Sequence, residues 1–206
     1  MRPSDREGFN VFIVPHLPVA NNLRGILAGL DDQSIESSEE CLAALREAIE
    51  PYRFGAVLSS PLRRSLETVA LCFDTERVPL RVDPRLLPID YGRFHGRTKR
   101  EVAPLSHTYV ERPFPGGESF RQVAARHKSF LLEVLPEYAG RDVVLIGHEG
   151  SDSILAHLCE GGTLESRLLE AYEQSRQRIA AGLGLLGFLR RPPAGPFFFA
   201  RARRDR

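Results

Sequence analysis

Residues 56–73 read AVLSSPLRRSLETVALCF. The first four are small and apolar, a run suited to a buried strand. Ser60-Pro61 follows in the order of a helix cap and a proline at the first helical position. Leu62, Leu66, Val69, Ala70 and Phe73 then recur on one helical face. A strand feeding a helix is the repeating unit of a parallel sheet, and the rest of the chain can be laid around it. Upstream, residues 11–14 (VFIV) form a buried strand stopped at Pro15, and residues 25–34 are loop-like. Ser37 and Glu40 have capping-box spacing before an amphipathic helix with Cys41, Leu42, Leu45, Ala48 and Ile49 on one face, ended by Pro51. Downstream, residues 79–82 are a short strand, and 84–117 are rich in Pro, Gly and charge, a long excursion of the kind that carries function. Glu118-Ser119 leads into a helix bearing Phe120, Val123, Phe130, Leu131, Val134 and Leu135. Residues 143–147 (VVLIG) are the clearest buried strand. A helix over 151–159 ends at Gly161-Gly162, and another runs over 164–180. Residues 183–189 and 196–200 make a closing hairpin.

The reading is one domain over residues 1–206. It is a three-layer α/β/α fold with a mostly parallel sheet and one antiparallel edge strand, carrying 84–117 as an inserted excursion. Composition supports a globular chain: 206 residues, 42% hydrophobic and 27% charged. The 28 basic and 27 acidic residues leave a net charge of +1, so neither nucleic acid nor a membrane surface is expected as a partner. Cys41, Cys72 and Cys159 are too scattered for a disulfide framework or a Cys-rich metal site. Reduced thiols, no apolar signal core in MRPSDREGFN and no apolar run near the roughly 20 residues of a membrane helix suggest a cytoplasmic protein. Only Lys99 and Lys128 are lysines among the basic residues, as expected from a GC-rich bacterial genome.

Ligands of such sheets bind beyond the carboxyl ends of the strands. His16, Arg64 and His148 all fall there. A neutral imidazole is a nucleophile for phosphoryl transfer, and a guanidinium grips phosphate oxygens. A helix N-terminus after His148 adds donors and a favourable dipole. Each residue alone is more often packing or surface charge; the three together suit a site for an anionic substrate. His107 and His127 lack partners at metal-ligand spacing and suit a loop and a helix surface. The arginines at 201, 203, 204 and 206 suit a frayed tail.

These residues also carry a resemblance. Residues 59–68 (SSPLRRSLET) resemble the S-x-L-x-R-A-x-x-T helix start of the histidine phosphatase, or phosphoglycerate-mutase-like, superfamily. Residues 143–148 (VVLIGH) resemble its second histidine strand, 115–119 (PGGES) its P-x-G-E-S block and 89–96 (IDYGRFHG) its I-D-F-G-x-W-E-G block. The resemblance spans about residues 10 to 160. It implies His16 as nucleophile, Arg64 and His148 as holders of the transferring phosphoryl group, and Asn22, Glu118 and Ser119 in substrate binding. No cofactor and no metal are implied.

The departures are specific. The family's Arg-His-Gly is Pro15-His16-Leu17 here, and the usual acid position is Pro88. His95 stands where a glutamate is usual. A general acid contributes typically ~10²- to 10⁴-fold, so its loss demands a substitute or ends the chemistry. Glu149, next to His148, matches the proton donor of the phytase and acid-phosphatase branch; as a helix cap it would do no chemistry. Asp90 is another candidate acid. Arg24 is the nearest replacement for the missing arginine. The implied function is hydrolysis of a small phosphomonoester without metal. The alternatives are a catalytically degenerate pseudophosphatase with a binding or regulatory role, or the same fold with non-phosphatase chemistry. An exposed strand of the terminal hairpin would serve a homodimer or be a covered edge.

Overall fold

The computed structural model describes residues 10–148, 150–160, 163–164, 166–168 and 199–201. Four strands are parallel: β1 (Asn10–Pro15), β2 (Ala56–Ser59), β3 (Leu80–Val82) and β4 (Val143–Gly147). The fifth, β5 (Phe199–Arg201), lies antiparallel to β1 at the sheet's edge, and the spatial order is β3-β2-β4-β1-β5. Arg201 is thus in a strand and not a frayed tail. Residues 183–189, most of the 164–180 helix and Arg203, Arg204 and Arg206 lie outside the described residues.

The runs of valine, isoleucine and leucine explain the central strands. Every residue of β2 and β4 is buried, as expected where helices cover both faces of a parallel sheet. On one face, Phe12, Val14, Val57, Val144 and Ile146 pack on α2 (Glu39–Ile49) and α3 (Arg63–Cys72) through Leu42, Leu45, Ile49 and Val69. On the other, Val11, Ile13, Leu58, Val143 and Leu145 meet Phe130, Leu131 and Val134 of α5 (Phe120–Val134) and Leu155 of α6 (Ser151–Glu160). Each such fully buried side chain contributes roughly 1.5–3 kcal/mol. No helix among the described residues is long and apolar enough to cross a membrane.

Two caps differ from expectation. Ser38, not Ser37, caps α2, its hydroxyl accepting from the Cys41 amide. α3 begins at Arg63, after Leu62, because the Ser60 hydroxyl is spent on His148 at 2.7 Å. Its inward face is also not the apolar stripe. Arg64, Ser65, Thr68 and Val69 are buried, while Ala70 is exposed. The first turn of α3 turns polar groups inward, toward the site.

The excursion is built, not loose. Its short helices include α4 (Lys99–Val102), and α1 (Ala20–Leu23) lies in the facing loop after β1. Phe114 is the hub of the excursion's own core, stacked on Tyr109 at 4.0 Å and edge-on to Tyr91 and Phe120. Two backbone segments cross here with no room for a side chain. A Cβ at Gly117 would lie 2.2 Å from the Asp90 carbonyl oxygen, and one at Gly92 (φ +51°) 2.4 Å from that of Pro115. Those contacts account for one glycine of each block; Gly96 (φ +76°) and Gly116 (φ +78°) have open space around them and answer instead to a positive φ.

Candidate active site

The register of β1 and β4 creates the site. Pro15 is paired with Gly147, so the next residues, His16 and His148, emerge side by side from the same sheet edge. Their ring centroids are 5.2 Å apart. Arg64 enters from the first turn of α3, just past β2, and is 1% exposed. The three residues converge as the spacing predicts.

His16 is held in one tautomer. Its Nδ1 lies 2.7 Å from the Leu17 carbonyl oxygen, which can only accept, so Nδ1 carries the proton. Nε2 therefore keeps its lone pair, and the Arg64 Nε–H donates to it at 3.2 Å. Burial lowers the His16 pKa from 6.5 to about 3, with the Arg64 charge adding to the effect and the Leu17 hydrogen bond opposing it. The ring is neutral at physiological pH, as a nucleophile must be.

Arg64 has five N–H donors. Nη1 donates to the Asp31 carbonyl at 2.5 Å and Nη2 to that of Gly29 at 2.7 Å. Burial lowers its pKa to about 10, opposed by Asp32 and Asp31, so it stays a cation. His148 sits against Ser60 Oγ at 2.7 Å and Ser65 Oγ at 3.3 Å through Nε2. Its Nδ1 is buried without a partner, an orphan that costs about 1–3 kcal/mol when left unmet. A phosphoryl oxygen beside His16 would meet it. Burial, then the charges of His16 and Arg64, hold the His148 pKa well below its usual value.

Asn22 also lines the cleft, its Oδ1 accepting from the Val19 amide at 3.2 Å. The walls are Leu27, Ala28, Gly29, Pro88 and Tyr91. Sequence reasoning missed this use of Tyr91. Its position in the IDYG block marks the segment, but nothing in the pattern says which way the phenol faces.

Several expected roles need correction. Glu118 and Ser119 do not line the cleft. Glu118 pairs with Arg126 at 3.0 Å and accepts from the Asp90 amide. Arg126 in turn donates to the carbonyls of Arg85, Leu87 and Pro88, so this pair fixes the Pro88 wall from behind. Ser119 caps α5, accepting from the Gln122 amide at 3.1 Å. Asp90 is spent on its own turn, accepting from the Gly92 amide at 2.8 Å. Arg24 is exposed and off the cleft. His127 is not on the helix surface but 1% exposed on the inner face of α5. Both its ring nitrogens lack partners, and burial lowers its pKa to about 3. His107 is exposed, but it lies in a short 3-10 helix (Ala103–Tyr109) and not in a loop. Glu149 lies outside the described residues. Among the described residues no group of three or more His, Cys, Asp or Glu side chains is placed to hold a metal ion.

The signature of the Histidine phosphatase superfamily (branch 1) matches residues 11–178. The chain belongs to this superfamily. Its relatives include phosphoserine phosphatase 1 of Hydrogenobacter thermophilus, 27% identical over 147 residues, which are 67% of this chain and 70% of that one. The mycobacterial glucosyl-3-phosphoglycerate phosphatase superposes with a TM-score of 0.66 at 23% identity, over 79% of this chain and 84% of that one. The alpha-ribazole phosphatase of Shigella flexneri superposes with a TM-score of 0.63 at 20% identity, over 77% and 83%. At those identities the two structures establish the fold. Family membership and the phosphatase relative support phosphatase activity for this histidine phosphatase.

Proposed function

We propose that the chain hydrolyses a small phosphomonoester through a phosphohistidine at His16, without a metal ion. The observation that carries this is the His16 ring: neutral, its Nδ1–H anchored on Leu17, its Nε2 lone pair beside Arg64 and 5.2 Å from the His148 ring. The substrate phosphate draws the Arg64 N–H groups onto its oxygens, which releases the lone pair. Nε2 attacks phosphorus as the bond to the ester oxygen breaks. Glu149 gives its proton to that leaving oxygen. Arg64 and the Nδ1–H of His148 offset charge on the transferring group, with Ser60 then donating to Nε2. In the second step Glu149, now a carboxylate, takes a proton from water, whose oxygen displaces His16 from phosphorus. Inorganic phosphate leaves, and His16 and Glu149 regain their starting forms. The partner is a small phosphorylated metabolite, and the location is the cytoplasm.

Rapid quenching during turnover should trap an alkali-stable, acid-labile phosphoryl group on His16, located by peptide mass spectrometry. Glu149→Gln should lower kcat by about 10²- to 10⁴-fold on esters with poor leaving groups and much less on nitrophenyl phosphate, which needs little protonation. Unchanged turnover of both by Glu149→Gln would remove Glu149 from the mechanism. A binding protein without turnover is the second reading, favoured by Pro88 lining the cleft where the family carries its acid. It requires phosphate binding by the wild type with no phosphohistidine on any ester.

A further inference from the structure

Two of the three guanidinium nitrogens of Arg64 donate to carbonyls of one loop, those of Gly29 and Asp31. The aim of Arg64 at His16 is therefore set by that loop. The loop is fastened on two sides. Asp32 accepts from the Arg63 amide at 2.6 Å, tying it to α3. The Asp31 carboxylate ties it elsewhere: Oδ1 lies 2.7 Å from His95 Nε2, and Oδ2 accepts from Asn21 Nδ2 at 3.1 Å. His95 belongs to the excursion, and its ring lies over Gly29, where an added Cβ would come within 3.1 Å of Nδ1. Nearby, the Leu27 amide donates to Arg97 and the Lys99 amide to Gly25. The excursion that supplies the Pro88 and Tyr91 walls thus also grips the loop that holds the arginine.

From these contacts we infer that Asp31 is a positioning residue for Arg64, with His95 acting through it. Neither residue lines the cleft. Asp31 holds the carbonyls of residues 29 and 31 where they keep the guanidinium on the nucleophile. The catalytic consequence rests on the phosphatase reading; the structural coupling does not.

The test compares wild type, Asp31→Ala and His95→Ala, with Asp31→Asn and His95→Gln as conservative variants. The Arg64 Nε–H resonance, assigned by its loss in Arg64→Lys, reports the grip directly. Its exchange with solvent should quicken at least tenfold in both alanine variants and return to near wild type in the conservative pair. In parallel, kcat/KM for nitrophenyl phosphate should fall about fivefold to tenfold in the alanine variants and recover in the conservative pair. If Asp31→Ala does not fold, His95→Ala carries the comparison. Wild-type exchange in a folded alanine variant overturns the inference. A wild type that turns over no ester overturns the phosphatase reading instead, and the exchange measurement still decides the coupling.

Discussion

His16 is the residue on which the chemistry turns, and its neutrality has a measurable consequence. A pKa near 3 means that its ring does not titrate near 6.5. An NMR titration of the ring should show no step between pH 5 and 8, and the acidic limb of the rate profile should survive as that of another group. A ring titrating near 6.5 would contradict the buried geometry. Ser60 is the next test. It accepts from the Leu62 amide only weakly, at 3.4 Å, and its close contact is His148. Ser60→Ala should cost about 1–3 kcal/mol in urea unfolding by leaving Nε2 only the longer Ser65 contact at 3.3 Å, with kcat lowered about tenfold by a less well fixed ring. Single residues were partly legible from sequence. His16, Arg64 and His148 were found because strand ends are places that pattern can locate. His127 was misplaced because its neighbours Arg126 and Lys128 look like a solvated face, while the helical period carries only position 127 inward.

At the scale of the element, strands and long helices followed from periodicity. β4 and α5 lie where their apolar residues put them, within a residue or two. The polar inward face of α3 did not, because a helix that serves a site breaks the apolar stripe that reveals other helices. Glu118 and Ser119 show the same difficulty from the other side. Their block is family-specific, yet its atoms build the turn and the cap and hold the Pro88 wall through Arg126. Gly117→Ala tests that crossing. Its Cβ would meet the Asp90 carbonyl oxygen at 2.2 Å, contact with backbone that no rotamer relieves. It should cost several kcal/mol, of the order seen for core overpacking, ~1–3 or more, and it should raise KM by displacing Pro88 and Tyr91. Ser119→Ala, which removes only the cap of α5, should cost about 0.5–2 kcal/mol and leave KM alone. Equal KM effects would mean that the crossing does not shape the cleft.

For the whole molecule, buried neutral histidines set the response to acid. His16 and His127 have folded pKa values of about 3, against about 6.5 when unfolded. The unfolded chain therefore binds the extra protons as pH falls. The stabilisation is complete above about 6.5 and is lost progressively down to about 3. Each histidine steepens that loss by about 1.4 kcal/mol per pH unit. Unfolding at pH 7 and pH 5 should show the fall, and His127→Leu should remove about 2 kcal/mol of it while supplying an apolar side chain to an apolar place. An identical fall in that variant would mean that His127 is not buried neutral. The overall architecture was legible because alternating strands and helices admit few topologies, whereas the contacts of the excursion with the loop after β1 join segments far apart in sequence and leave no local pattern.

The most direct test of the account is turnover of a panel of phosphomonoesters, with chelator present, by wild type and His16→Ala. Release of phosphate by the wild type on at least one ester, abolished by His16→Ala, is the expected result. Turnover that persists in His16→Ala, or that the chelator removes, would contradict a phosphohistidine mechanism centred on His16.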